Sequence, residues 1–280
     1  MKIVHEQAPQ TIDTSKMFSA GNEVDNLSPI DEFISAVIRI NALCHDPKNF
    51  PRELGHLMVL GFVSAVESYF RSLIRELVNS DPASFSASQR QSISFAAAFH
   101  GKDELKAEAL VEHISFTSER RVVESFVNFL GFKKGSAERG VKSAIGQYEK
   151  VCQLRHCVAH RFGKLGSQNA IALDYDSHIA HIEKKIDFDY EAVQKIANVC
   201  DNFVRGINNF CYQIVLNRSY HDDWNEWSGD LRRDKRNFEK YYRIFSSKKN
   251  IPKSPELKNA FYDFRNSIIL EPKTPGNWWP

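Results

Sequence analysis

The chain has 280 residues, of which 42% are hydrophobic and 26% are charged, and its formal net charge is only +2. This composition is typical of a globular protein of one large domain, or of one domain with an appendage, and it excludes a mostly disordered chain and a strongly basic one. The five cysteines, an odd number, lie in helix-like stretches, which argues against a secreted disulfide framework and favours the cytoplasm.

The first 28 residues are polar and aperiodic, and they predict a flexible leader without the apolar region of a signal peptide. Ser28 and Pro29 then predict the start of a helix, because proline fits the first helical turn and acidic residues follow it. We expect this helix to reach about His45, where the sequence DPKNFP ends it.

A second helix is predicted from about Arg52 to Asn79, with apolar residues three and four positions apart. Its longest apolar run, LMVLGFVSAVESYF, is interrupted by Glu67 and is too short to cross a bilayer, so no membrane association is expected. Two or three shorter helices are predicted between residues 86 and 130.

A third long helix is predicted from about Ala137 to the sequence RHCVAH at residues 155–160. Its apolar positions recur at helical spacing: Val141, Ile145, Tyr148 and Cys152. The next positions of this stripe are Arg155 and Ala159, which are therefore expected on the packed face. Gly163 and Gly166 should end the helix. The GKLG that they bound has the form of a loop that clamps nucleic acid, but it lacks the strands of that fold and predicts an ordinary helix end.

The segment NAIALDY at 169–175 predicts a short strand or an extended loop, and a last long helix is expected from about Tyr190 to Leu216. Strand signals are otherwise nearly absent. The sequence therefore predicts an all-α protein, with an up-and-down helical bundle of four or five core helices over residues 29–217.

Residues 218–280 differ from the bundle in composition. They contain all four tryptophans, and thirteen basic residues against nine acidic ones. Basic residues interleaved with aromatic ones suit RNA, because phosphates bind the charges and bases stack on the rings. The alternative is a helical extension that packs its aromatic side chains on the bundle.

The sequence RHCVAH allows three interpretations. Cys152, His156 and His160 could form a metal site, but a single helix cannot surround an ion, because the first and last of them lie ~12 Å apart along the axis. A metal-free nuclease site is the second: histidines transfer protons near neutral pH, and Arg155 binds phosphate oxygens. In the third, RHCVAH is an ordinary solvated helix terminus, where Arg155 would pair with a buried carboxylate and His160 would interact with the helix dipole.

The pattern Arg155-His156-x-x-x-His160 resembles the Arg-polar-x(3 to 5)-His signature of HEPN domains. In that family the motif lies late in an all-α bundle, between two long apolar helices, and an acid on an early helix often faces it. Residues 30–216 show this order, although His156 stands where the family commonly has Asn or Asp. Glu67 resembles the family acid and is expected to orient Arg155, the alternative being an ion pair with Arg71 one turn away.

The resemblance implies a metal-independent endoribonuclease without a cofactor, often a growth-arresting toxin or antiphage defence effector that cuts tRNA or another RNA. Arg155 would stabilise the transition state, His160 would act as general base or acid, and His156 would position the phosphate or Arg155. A homodimer is expected, because one His160 cannot be acid and base at once; the alternative is that His156 provides the second group within one chain. An antitoxin or defence protein would be a further partner. The alternative is a non-catalytic dimerisation or RNA-binding module, which would tolerate alanine at Arg155 and His160.

Overall fold

A computed structural model describes residues 3–4, 8, 10–19, 27–100, 106–222 and 227–270. These residues form α-helices and contain no β-strand beyond one isolated bridge, so the predicted all-α class is confirmed. The helices are α1 (Pro29–Asn41), α2 (Arg52–Ser80), α3 (Pro82–Ser88), α4 (Phe95–His100), α5 (Lys106–Val111), α6 (Glu119–Leu130), α7 (Lys134–Arg161), α8 (Ser167–His178), α9 (Tyr190–Asp222), α10 (Leu231–Phe245) and α11 (Leu257–Leu270).

Helix α2 lies at the centre of the protein and packs against α1, α7 and α9 along its length. Large apolar side chains at helical spacing, such as Phe62 and Phe70, are completely buried. Between α7 and α9, the rings of Tyr148 and Phe203 stack with centroids 4.3 Å apart. This packing holds α7, the helix that ends in RHCVAH, in a fixed position against α2 and α9.

By length and composition α2 could also cross a membrane. Within its most apolar stretch of 18 residues, 61% is buried inside the protein. The core helix of a helical bundle shows the same two properties, because it is surrounded by other helices on most sides.

The predicted long helices match the observed ones closely in position. Helix α1 begins at Pro29, as predicted, with the Ser28 hydroxyl accepting a hydrogen bond from the Asp31 backbone N–H, but it ends at Asn41 rather than near His45. Helix α9 continues six residues past the predicted end at Leu216, because its last turns are also packed in the core. Of the two or three short helices expected over residues 86–130, three, α4 to α6, lie entirely within the described part of that range.

The prediction of a strand or extended loop at 169–175 is wrong, because these residues lie within α8. Ala170 of α8 packs in a small buried cluster with Cys157 of α7 and with Leu165. A short apolar run does not distinguish a strand from a helix by itself, and here the contact with α7 selects the helix.

Helices α10 and α11 share one continuous core with the bundle. Their buried aromatic residues are Phe238, Tyr241, Phe245, Phe261 and Phe264, and the partly buried Trp227 packs against the same core. The packing alternative therefore holds for the described aromatic residues of the extension, whereas Trp224, Trp278 and Trp279 lie outside the described residues. Much of the predicted leader also lies outside them.

Two buried aspartates connect distant parts of the chain. The carboxylate of Asp31, in the first turn of α1, accepts hydrogen bonds from the backbone N–H groups of Lys248 and Lys249 and from the Ser247 hydroxyl. The carboxylate of Asp81, at the end of α2, forms a buried ion pair with Arg218 of α9. The extension beyond residue 217 is thus attached to the bundle by polar as well as apolar contacts.

Candidate functional site

The sequence RHCVAH forms the last two turns of α7, and the helix ends sharply after it. Phe162 adopts the left-handed conformation with φ 52° and ψ 42°, and the Gly163 N–H donates to the Cys157 carbonyl at 3.0 Å. Gly163 also has a positive φ, +86°, and a Cβ atom there would lie only 2.5 Å from Cε1 of the His56 ring. Only glycine fits this position, and the GKLG segment is an ordinary helix end, as predicted.

The loop after α7 is held against the segment that precedes α9. Lys164 and Lys185 form an isolated antiparallel bridge, and the Ile186 N–H donates to the Gly163 carbonyl at 2.8 Å. The His56 ring donates from Nε2 to the Ile186 carbonyl at 3.1 Å, which ties this loop to α2. Arg161 forms an ion pair with Glu183 of the same segment. The end of the motif helix is therefore fixed from two directions.

Arg155 is partly buried but has no partner in the described part of the protein. It forms neither a hydrogen bond nor an ion pair with any residue there, and its nitrogens are not among the buried unpaired atoms, so they reach solvent. The interpretation in which Arg155 pairs with a buried carboxylate is therefore wrong. Ala159, also expected on the packed face, is exposed; Cys157 and Val158 are buried instead, because α8 covers the Cys157 side of the helix.

Glu67 does not make the contact with Arg155 that the sequence predicted. Its carboxylate accepts hydrogen bonds from the Ser115 hydroxyl at 3.1 Å and from the Phe116 N–H at 3.3 Å. The alternative pair with Arg71 is absent too, because Arg71 donates to the Ile114 carbonyl instead. Glu67 therefore fixes the connection between α5 and α6 against α2, and it influences the motif only through its charge.

His156 and His160 lie side by side on the surface of α7. Their ring centroids are 5.8 Å apart, His160 is exposed and His156 is partly buried. Burial, with the neighbouring charges of Arg155 and His160, lowers the pKa of His156, and Glu67 opposes this effect weakly. The His156 ring is therefore neutral at neutral pH and can accept a proton.

Cys152, the third member of the metal interpretation, faces the core. Its side chain is fully buried, and burial raises the pKa of its thiol to about 12. A cysteine binds a metal ion as the thiolate, which the raised pKa of Cys152 disfavours. His160 points to solvent rather than toward the core. Cys152, His156 and His160 thus do not face one common site. Among the described residues, no group of three or more His, Cys, Asp or Glu side chains is arranged to hold a metal ion.

Comparison of the chain with protein-family models, with curated proteins and with solved structures returns no match. The resemblance to HEPN domains stays a prediction from the motif and from the order of the helices around it.

Two cationic features of the surface lie outside the motif, and only the second was visible in the sequence. One is the pair Lys164 and Lys185 beside the motif, which became neighbours only through the bridge between distant segments. The other is the outer face of α10, where a shallow groove is lined by one acid, Glu239, and by six basic residues: Arg232, Arg233, Lys235, Arg236, Lys240 and Arg243. The basic run was visible in the sequence, but its concentration on one face follows from the burial of Asp234, Phe238 and Tyr241 on the other.

Proposed function

We propose that the protein is a metal-independent endoribonuclease in which Arg155, His156 and His160 carry out the reaction at the end of α7. One observation supports this most strongly. Arg155, His156 and His160 lie in the last two turns of α7, the centroids of the two rings are 5.8 Å apart, and within the described chain none of the three side chains forms a hydrogen bond or an ion pair. Because no protein group is bonded to these side chains, they are available to a ligand.

The three groups match the three requirements of RNA cleavage by the neighbouring 2′-hydroxyl. The neutral His156 ring removes the proton from the 2′-hydroxyl, whose oxygen attacks the adjacent phosphorus. His160 donates a proton to the departing 5′-oxygen as the P–O bond breaks. The planar guanidinium of Arg155 binds the non-bridging oxygens, on which negative charge grows in the transition state. The products are a 2′,3′-cyclic phosphate and a free 5′-hydroxyl.

The spacing of the two rings bears on the expected homodimer. The centroids of the His156 and His160 rings are 5.8 Å apart. In this proposal one chain therefore supplies both the general base and the general acid. A homodimer remains our proposal for the assembly, since two motifs meeting across an axis would double the proton-transfer groups. Light scattering of the protein tests this assembly. A monomer that cleaves RNA would assign both proton transfers to one chain.

The biological setting is proposed from the resemblance alone. It is that of a toxin or antiphage effector, acting on tRNA or another RNA and controlled by an antitoxin or defence protein. The cationic outer face of α10 supports RNA as the substrate class, because concentrated positive charge attracts the phosphate backbone.

The test is an analysis of product ends. We expect the purified protein to cut single-stranded RNA in excess EDTA, to leave cyclic phosphate and 5′-hydroxyl ends by mass spectrometry, and to spare both DNA and RNA with 2′-O-methyl groups. Arg155→Ala and His160→Ala proteins, purified in parallel, control for contaminating nucleases. Ends with 5′-phosphate and inhibition by EDTA would instead mean metal-activated water. Binding of RNA without cleavage would identify a non-catalytic module.

A further inference from the structure

The side chain of Phe162, two residues after His160, is unusual for its position. Its backbone is left-handed, with φ 52°, where helices commonly place glycine or asparagine, because other side chains are crowded there. The ring is 78% exposed, so no apolar contact compensates for this conformation. A large aromatic residue is thus held in a strained conformation at the end of the motif helix and points to water.

The surrounding contacts prevent the chain from relaxing this strain. The following residue, Gly163, is itself left-handed and lies against the His56 ring, where not even a Cβ atom would fit. Hydrogen bonds hold Gly163 on both sides, from its N–H to the Cys157 carbonyl and from the Ile186 N–H to its own carbonyl. The position of Phe162 relative to His160 is therefore defined.

A second and independent feature begins two residues after Phe162. Lys164 and Lys185 stand opposite each other across the antiparallel bridge, which places two positive side chains on the same side of the paired segments. Like charges in such a cross-strand pair are destabilising. Both lysines are exposed, and neither forms an ion pair within the described chain. The acids nearby are already engaged, Glu183 with Arg161 and Asp187 with Arg52.

We propose that Phe162, Lys164 and Lys185 form a nucleotide subsite beside the motif, in which one base of a single-stranded RNA stacks on Phe162 and a neighbouring phosphate binds between the two lysines. The proposal rests on the proposed function, whose substrate strand it positions. An apolar protein partner would use the ring but not the paired cations, and an acidic peptide would use the cations but not the ring. Single-stranded RNA carries a stacking surface and an anion in every nucleotide, so it uses both.

The stacking half is tested with a short 2′-O-methyl RNA that carries the fluorescent base 2-aminopurine at every second position. This probe resists cleavage, and its fluorescence falls when a base stacks on an aromatic ring. We expect quenching with the wild-type protein and with Phe162→Trp, but not with Phe162→Asn, whose affinity should fall at least about fivefold. Asparagine tolerates the left-handed conformation, so this variant should fold as well as wild type. Phe85→Asn, at another exposed ring on α3, is the matched control and should bind normally.

The phosphate half is tested by the salt dependence of binding. Lys164→Ser with Lys185→Ser should lower the slope of log affinity against log salt by about 0.7, because about 0.7 is lost for each single-strand phosphate contact and the two lysines share one phosphate. The control variant, Lys142→Ser with Lys258→Ser, removes the same charge from exposed positions on α7 and α11 and should leave the slope nearly unchanged.

Specific results would overturn the subsite. Quenching and affinity that are unchanged in Phe162→Asn would refute stacking, and a slope unchanged in the lysine variant would refute phosphate binding. If Phe162→Asn instead converts a dimer to a monomer, the ring belongs to a subunit contact. The two proposals can fail separately. If the wild-type protein quenches the probe but never cleaves RNA, the subsite stands and the proposed nuclease activity is refuted. If Phe162→Asn cleaves RNA with the KM of the wild type, the nuclease activity stands and the subsite is refuted. No RNA binding by the wild type removes both.

Discussion

Two arginines of this protein, Arg218 and Arg155, have opposite surroundings. Arg218 is almost fully buried; it forms an ion pair with Asp81, donates to the Ser84 hydroxyl and the Leu130 carbonyl, and lies 5.3 Å from the centre of the Phe132 ring. Arg155 is only partly buried and has no such partner among the described residues. The two arginines thus differ both in burial and in the number of their partners, and the more buried one is the one that is fully engaged.

The Arg218 site has the features that make a buried charge tolerable. Asp81 also accepts hydrogen bonds from the Tyr241 hydroxyl at 3.0 Å and from the Ser84 N–H at 2.7 Å, so the carboxylate is well compensated. Burial of a charge is costly, and such a network is stable only when each member is present. At Arg155 the protein leaves the corresponding positions to solvent, where phosphate oxygens could occupy them.

The largest effect should come from breaking the buried pair. Arg218→Met keeps much of the length of the side chain but leaves the Asp81 carboxylate uncompensated, and we expect it to lower the free energy of unfolding by about 3–5 kcal/mol. Urea denaturation followed by circular dichroism measures this change. Arg155→Met is the matched control and should change stability by less than about 1 kcal/mol. Equal losses for the two variants would abolish the distinction between these arginines.

The second effect should appear in catalysis and not in stability. His160→Ala should slow RNA cleavage at least ~10²-fold if the ring transfers a proton. Arg155→Lys keeps the positive charge but loses the forked geometry, so it should also fall short of the wild-type rate. Rates are measured at saturating RNA, together with melting temperatures. Full activity in either variant would show that the solvent-facing cluster is not the reaction site.

The smallest effect concerns pH. Because the pKa of His156 is lowered by burial and by the neighbouring cations, the unfolded chain binds a proton more readily than the folded one. Stability should therefore fall as pH drops through about 6.5, the ordinary histidine value, and should level off once the folded ring is protonated too. Urea midpoints between neutral and mildly acidic pH measure this loss. His156→Gln should reduce it, whereas His181→Gln, at an exposed ring, should not.

The sequence predicts well those features that depend on neighbours along the chain. Apolar periodicity located α2 and α9, and the helix-ending glycines located the end of α7 at RHCVAH. Contacts between distant segments were not predictable in this way. The partner of Glu67 is Ser115, 48 residues away, and nothing in the local pattern favours it over Arg71 or Arg155.

The same limit explains the error at Ala159 and the features that were missed. The apolar stripe of α7 was extrapolated by simple periodicity. In the structure α8 packs on the side of α7 that carries Cys157, so Cys157 is buried in place of Ala159. The bridge between Lys164 and Lys185 joins segments whose pairing depends on the tertiary fold. The type of chemistry in the motif could be inferred from residue identity, whereas the partners of each side chain required the structure.

The buried carboxylate of Asp31 has a consequence for how the chain acquires its fold during synthesis. It is bound by the backbone N–H groups of Lys248 and Lys249, more than 200 positions later in the chain. Contacts over such separations form slowly and only after the intervening chain has been made. The motif at 155–160 emerges from the ribosome long before these contacts can close. A newly made chain therefore completes this part of its core only after residues 248 and 249 have left the ribosome, well after the motif has been made.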